Sequence, residues 1–63
     1  MTGKVLFFNW EKKFGFVLDT ETNQDYFTHQ KYLLDERIIK DDKVTFDLKD
    51  DRRGIIAVNV KKI

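Results

Sequence analysis

The sequence predicts an all-β protein, a small closed barrel of five short antiparallel strands, and three features carry that prediction. Apolar and polar residues alternate along several separate stretches, the period of strands that bury one face. Proline is absent, so no position is barred from donating to a ladder. Polar stretches separate the alternating runs, and short sequential strands joined by turns favour a barrel, which leaves no open sheet edge.

Taken in order, residues 4–9, 14–19 and 25–30 read as the first three strands. In the fourth, Val44, Phe46 and Leu48 alternate with Lys43, Thr45, Asp47 and Lys49. In the fifth, Ile56, Val58 and Val60 alternate with Ala57, Asn59 and Lys61. Residues 20–24 and 50–53, the latter closed by Gly54, read as turns. Residues 31–42 break the alternation, and Leu34 and Ile38 sit four apart there, a spacing that fits one helical turn. Asp41-Asp42 reads as a turn.

Sixty-three residues form one domain, 1–63. A chain of this size buries about 60% of its unfolded surface, so its core must be economical. It has no cysteine and a single histidine, which excludes disulfides and leaves no zinc ligand set. No apolar run is long enough for a signal peptide or a membrane span, and a cytoplasmic protein without a membrane partner is expected. Serine and cysteine nucleophiles are absent, as is a glycine-rich phosphate loop. The reading is therefore of a protein that is not an enzyme, with no cofactor, no bound metal and no small-molecule substrate.

Net charge is +1, from 12 basic and 11 acidic residues, which is not the footprint of a protein that holds duplex DNA by charge alone. The aromatics are more telling. Phe7, Phe8, Trp10, Phe14 and Phe16 crowd one short stretch.

On an extended strand Phe14, Phe16 and Leu18 share one face, with Lys12 entering on the same side. Phenylalanine is usually buried, which would place that face inward. The next strand argues otherwise. Asp25, Phe27 and His29 share a face there, so an inward Phe27 would carry a carboxylate into the core at a cost of several kcal/mol. Turning Phe27 outward leaves Tyr26 and Thr28 to pack inside. The core fills without the three phenylalanines, from Val5, Val17, Tyr26, Leu33, Ile38, Val44, Phe46, Leu48, Ile56, Val58 and Val60. An exposed apolar patch with a polar rim marks a binding site. Aromatic platforms set among cations suit single-stranded nucleic acid, because every base offers a π-face, and Asp25, His29 and Gln30 are placed to bond unpaired base edges.

These residues also carry a family resemblance. Phe8-Asn9, Glu11-Lys12 and Phe14-Gly15-Phe16-Val17 resemble the first nucleic-acid-binding motif of cold-shock domains. Tyr26-Phe27-Thr28-His29-Gln30 resembles the second, with Gln30 as in the Y-box branch. Arg53-Gly54 followed by Ala57-Val58-Asn59-Val60 resembles the closing strand. The resemblance spans the chain from Gly3 to Val60. It implies a five-stranded barrel of the oligonucleotide-binding (OB) type that binds single-stranded RNA or DNA with weak sequence preference. It further implies an ATP-independent RNA chaperone or cold-shock-type regulator of gene expression, expected here as a monomer.

Carried over by position, the resemblance makes Phe14, Phe16 and Phe27 the central stacking platforms. Phe7 stands where the family usually has tryptophan. His29 meets a further base, Asp25 a base edge, and Lys12 and Arg53 the backbone or base edges; Gln30 completes the set. Phe8, Trp10, Lys13 and Tyr32 are further candidate contacts. The chain departs from the pattern at Leu6, where a surface lysine is common, and at Lys13, which replaces the glycine before Phe14. The connection after His29 is also shorter than usual and has lost its loop aromatic. Trp10 reads equally as an extra stacking ring or as a turn residue laid over the barrel.

Two other barrel or sheet architectures fit the sequence less well. An RNA-recognition motif needs a glycine where Lys13 stands, an aromatic where Asp19 stands, and two helices for which there is no room. An SH3-like barrel gripping peptide segments also exposes aromatics, but the lysines among the rings and the Phe-Gly-Phe spacing disfavour it.

Overall fold

The structure, a computed structural model, describes residues 1–34 and 37–63. Five strands form one closed barrel: β1 (Thr2–Asn9), β2 (Phe14–Asp19), β3 (Gln24–His29), β4 (Lys43–Asp51) and β5 (Gly54–Lys62), in the order β1-β2-β3-β5-β4. Neighbours pair antiparallel except at the closure, where β3 meets β5 in parallel at Phe27 and Ile56. Direction is dictated by the chain: the fifth strand returns up the far side of β4 and so runs with β3. Thr28, fully buried, ties this seam by donating its hydroxyl to the Ala57 carbonyl at 3.0 Å.

Val5, Val17, Ile38, Val44, Phe46, Ala57 and Val60 make the core cluster, with Phe8, Trp10, Tyr26, Leu33 and Leu48 packed against it. Alternation places most of these correctly. Ala57 is the exception, since the alternating pattern puts it outside while Ile56 and Val58, both buried, lie outside the central cluster. A bulge explains the change of parity. Asn59 and Val60 together oppose Phe46, and Asn59 takes a left-handed φ of 53°, so inward positions before and after it are an odd number apart. Its side-chain amide donates to Asp47 at 3.1 Å, holding the bulge from the neighbouring strand.

A second bulge lies in β1. Val5 pairs with Val17 and Phe7 with Phe16, so Leu6 is the extra residue. The backbone of Val5 exchanges bonds with the connection: its N–H donates to the Asp42 carbonyl and its carbonyl accepts from the Asp41 N–H.

The turns are set by side chains. Asn9 Oδ1 accepts from the Lys12 N–H in the first. Buried Asp19 accepts from the Glu21 N–H in the second, while Asn23 takes φ 59°. The third closes at Gly54, whose φ of 109° is costly for any other residue. After β3 comes one 3-10 turn, Gln30–Tyr32, capped by His29. That is earlier than the Leu34 and Ile38 spacing suggests. Leu34 is exposed while Ile38 is fully buried, so the two do not share one apolar face, and residues 35 and 36 of the expected turn lie outside those described.

Candidate nucleic-acid interface

The β1 bulge and the β1–β2–β3 registers assemble four rings on the outer face of the barrel. Phe16 lies opposite Phe7 on one side and Phe27 on the other, and Phe14 lies opposite His29. The intervening residues Gly15, Val17 and Thr28 are buried, which turns these rings outward. Ring centres of Phe7 and Phe16 are 5.6 Å apart, those of Phe16 and Phe27 5.9 Å, and those of Phe14 and Phe27 5.7 Å with planes 19° from parallel. Phe14, Phe16 and Phe27 are half-buried because they screen one another, and none packs against the core cluster. Phe7, at the rim, is 44% exposed.

Gly15 makes room for this arrangement. A Cβ there would stand 2.4 Å from the Phe7 carbonyl oxygen and 2.6 Å from the Phe8 ring. The absence of a side chain therefore lets β1 close on β2 and lets Phe8 lie across the inner side.

Charged and polar groups border the rings. Lys12, Phe14, Phe27, His29 and Arg53 line one cleft. The Arg53 guanidinium carbon sits 4.6 Å from the Phe27 ring centre, a favourable cation–π placement. His29 Nδ1 accepts from the Lys31 N–H at 3.2 Å, so a neutral ring carries its proton on Nε2, which is then free to donate. Asp25 is exposed opposite Leu18, two pairs along from Phe16 and Phe27 and so on the same face. Gln30 is exposed at the start of the 3-10 turn, where its N–H donates to the Lys13 carbonyl.

Not every candidate joins this surface. Phe8 and Trp10 pack against the core, 4.4 Å apart between ring centres. Trp10 donates its Nε1–H to the Ile38 carbonyl at 3.2 Å, and Arg37 lies over its ring. Trp10 is therefore the turn residue laid over the barrel, and Phe8 is held to the core side by the same bulge that turns Phe7 outward. Lys13 is exposed in the β1–β2 turn at a left-handed φ of 64°. Tyr32 does join. It lines a second cleft with Phe27, His29, Lys31, Asp51, Arg52, Arg53 and Ile56.

Three cations beside that cleft were not singled out from the sequence: Lys31, Lys49 and Arg52. The parallel β3–β5 seam brings the β4–β5 turn against Phe27, a long-range pairing that local alternation does not encode. Among the described residues, no three His, Asp or Glu side chains cluster to hold a metal. Flat apolar faces edged by cations and by donor and acceptor groups suit unpaired bases and their phosphates.

Residues 1–63 match the family model described as the 'Cold-shock' DNA-binding domain. The chain is 39% identical over 64 residues to the major cold shock protein of Streptococcus pyogenes serotype M1, covering 97% of this chain and 94% of that one. It is 36% identical over 66 residues to the cold shock-like protein CspB of Bacillus cereus, covering all of both. It is 33% identical over 63 residues to the cold shock-like protein CspB of Escherichia coli K12, covering 95% of this chain and 89% of that protein.

Proposed function

Because the chain belongs to the cold-shock domain family, a family of nucleic-acid-binding proteins, we propose that it binds single-stranded RNA or DNA by stacking successive bases on Phe27, Phe16, Phe14 and Phe7. The observation that carries the proposal is the continuous four-ring surface outside the core, bordered by Lys12 and Arg53. Stacking reads base faces and so discriminates little between sequences. Lys12 and Arg53 meet phosphates, while Asp25, Gln30 and the Nε2–H of His29 meet base edges.

Each stacked base is worth roughly 1–3 kcal/mol, so four platforms supply about 4–12 kcal/mol gross. Association and ordering of the strand offset much of that, which leaves roughly micromolar or somewhat tighter affinity. The protein acts as a cytoplasmic monomer and needs no ATP. It works as an RNA chaperone or cold-shock-type regulator by trapping unpaired strands through mass action. This is binding rather than catalysis, and the SH3-like alternative is not favoured by the family.

A chemical-shift map tests the proposal, with a short oligothymidine and a proline-rich peptide titrated separately. The oligothymidine should perturb Phe7, Phe14, Phe16, Phe27 and their cross-strand neighbours. Perturbation by the peptide alone, or confined to the Trp10 end of the barrel, would contradict it.

A further inference from the structure

Trp10 falls between Phe8-Asn9 and Glu11-Lys12 of the first motif and belongs to neither. Its ring does not join the outer face, yet it is tied to that face through the turn it opens. The β1–β2 turn is held on two sides. Toward the rings, the Gln30 N–H donates to the Lys13 carbonyl at 2.9 Å. Toward the core, the Trp10 Nε1–H donates to the carbonyl of Ile38, a fully buried member of the core cluster, at 3.2 Å. Within the turn, Asn9 accepts from the Lys12 N–H through Oδ1 and from the Lys13 N–H through its carbonyl. Lys12 is thereby fixed to the turn and moves with it. A packing route leads the same way. The Trp10 and Phe8 ring centres are 4.4 Å apart, and Phe8 occupies the space that a Cβ on Gly15, between Phe14 and Phe16, would need.

We propose that Trp10 is a positioning residue for nucleic-acid binding: its bond to Ile38 latches the β1–β2 turn to the core and so holds Lys12 in the cleft it lines with Phe14, Phe27, His29 and Arg53. The inference rests on the ring-stacking reading above and adds to it a residue that touches no nucleotide. The physical reason is preorganisation. A lysine on an anchored turn has less freedom left to lose when a phosphate arrives, whereas a turn held only at Gln30 must be ordered by the strand itself, at a cost in affinity. Arg53 stands on the β4–β5 turn, over the Phe27 ring, and lies outside the latch. Linkage makes the effect reciprocal: the factor by which the latch tightens the strand is the factor by which the strand tightens the latch.

The test is a pair of double-mutant cycles on Trp10→Phe, which keeps an aromatic ring against Phe8 and removes the N–H. Affinity for an oligothymidine of about seven nucleotides is measured by anisotropy, with thermal unfolding confirming that each variant is folded at the temperature used. Trp10→Phe should weaken binding by about two- to tenfold, the net worth of one hydrogen bond. Lys12→Ala should then cost less in the Trp10→Phe background than in wild type, while Arg53→Ala costs the same in both. A purely structural tryptophan would lower the melting temperature and leave both cations additive, which refutes the latch. Equal shifts at the two cations refute it as well. If Trp10→Phe is silent while Phe16→Ala weakens binding, the latch falls and the ring reading stands; if neither substitution changes affinity, both fall together. Wild type supplies a second readout that needs no substitution, since its one tryptophan gives a single indole N–H signal. Solvent exchange at that N–H should slow on oligothymidine binding by the same factor and then level off. No slowing, or slowing that keeps growing with free oligonucleotide as global unfolding does, overturns the proposal.

Discussion

Phe7 lies opposite Phe16, ring centres 5.6 Å apart, because Leu6 is an extra residue in β1. Without the bulge Phe7 would share the inward parity of Val5, and the outer surface would lose its fourth ring. Because Phe7 is 44% exposed, its removal takes little from the core. Phe7→Ala should weaken oligothymidine binding by about 1–3 kcal/mol with a melting temperature close to wild type. A large loss of stability with unchanged affinity would show that the ring serves packing instead.

Gly15 is the counterpart of that bulge on β2. An added methyl meets the Phe7 carbonyl and the Phe8 ring at once, and a backbone carbonyl cannot step aside as a flexible side chain would. Gly15→Ala should cost about 1–3 kcal/mol in overpacking. In a domain of this size each kcal/mol moves the midpoint by roughly 4–8 °C. Calorimetry showing an unchanged midpoint would mean the two strands have slack that the geometry denies.

Lys13 occupies a left-handed conformation at φ 64°, which costs a residue with a Cβ about 1–2 kcal/mol. The turn still forms because Lys13 donates its N–H to the Asn9 carbonyl and accepts from the Gln30 N–H. Lys13→Gly relieves the strain but enlarges the unfolded ensemble. A net gain of about 0.5–1 kcal/mol is expected, seen as a higher melting temperature. A lower one would show that the lysine side chain contributes more than its backbone costs.

Much of this was legible in the chain. Alternation gave five strands, and β2 matches its expected bounds residue for residue. The costly burial of Asp25 fixed the outward side of β3, and with it Phe16 and Phe14 by pairing. What stayed hidden was non-local or irregular. The two bulges invert parity, so Ala57 was read as outside and the outward turn of Phe7 came from the family pattern rather than from alternation. Trp10 reads two ways in the sequence because the partner of its indole N–H, the Ile38 carbonyl, lies 28 residues away. Tyr32 is a candidate from the sequence, but the long-range cations beside it, Lys49 and Arg52, are brought there by the β3–β5 seam, which no local pattern announces.

Lys12 and Arg53 border the rings, with Lys31, Arg52 and Lys49 beyond them. If about three or four phosphates are neutralised, the logarithm of affinity should fall against the logarithm of salt with a slope of roughly −2 to −3. A slope near −7 would mean that charge, not stacking, supplies most of the binding.

The most direct measurement pairs affinity with stability for Phe16→Ala and Phe27→Ala, the two rings at the centre of the surface. Each should lose about 1–3 kcal/mol of oligothymidine binding while still unfolding cooperatively as a folded domain. A protein left unfolded, or one that is folded and binds as wild type does, would contradict the claim that unpaired bases stack on this outer face.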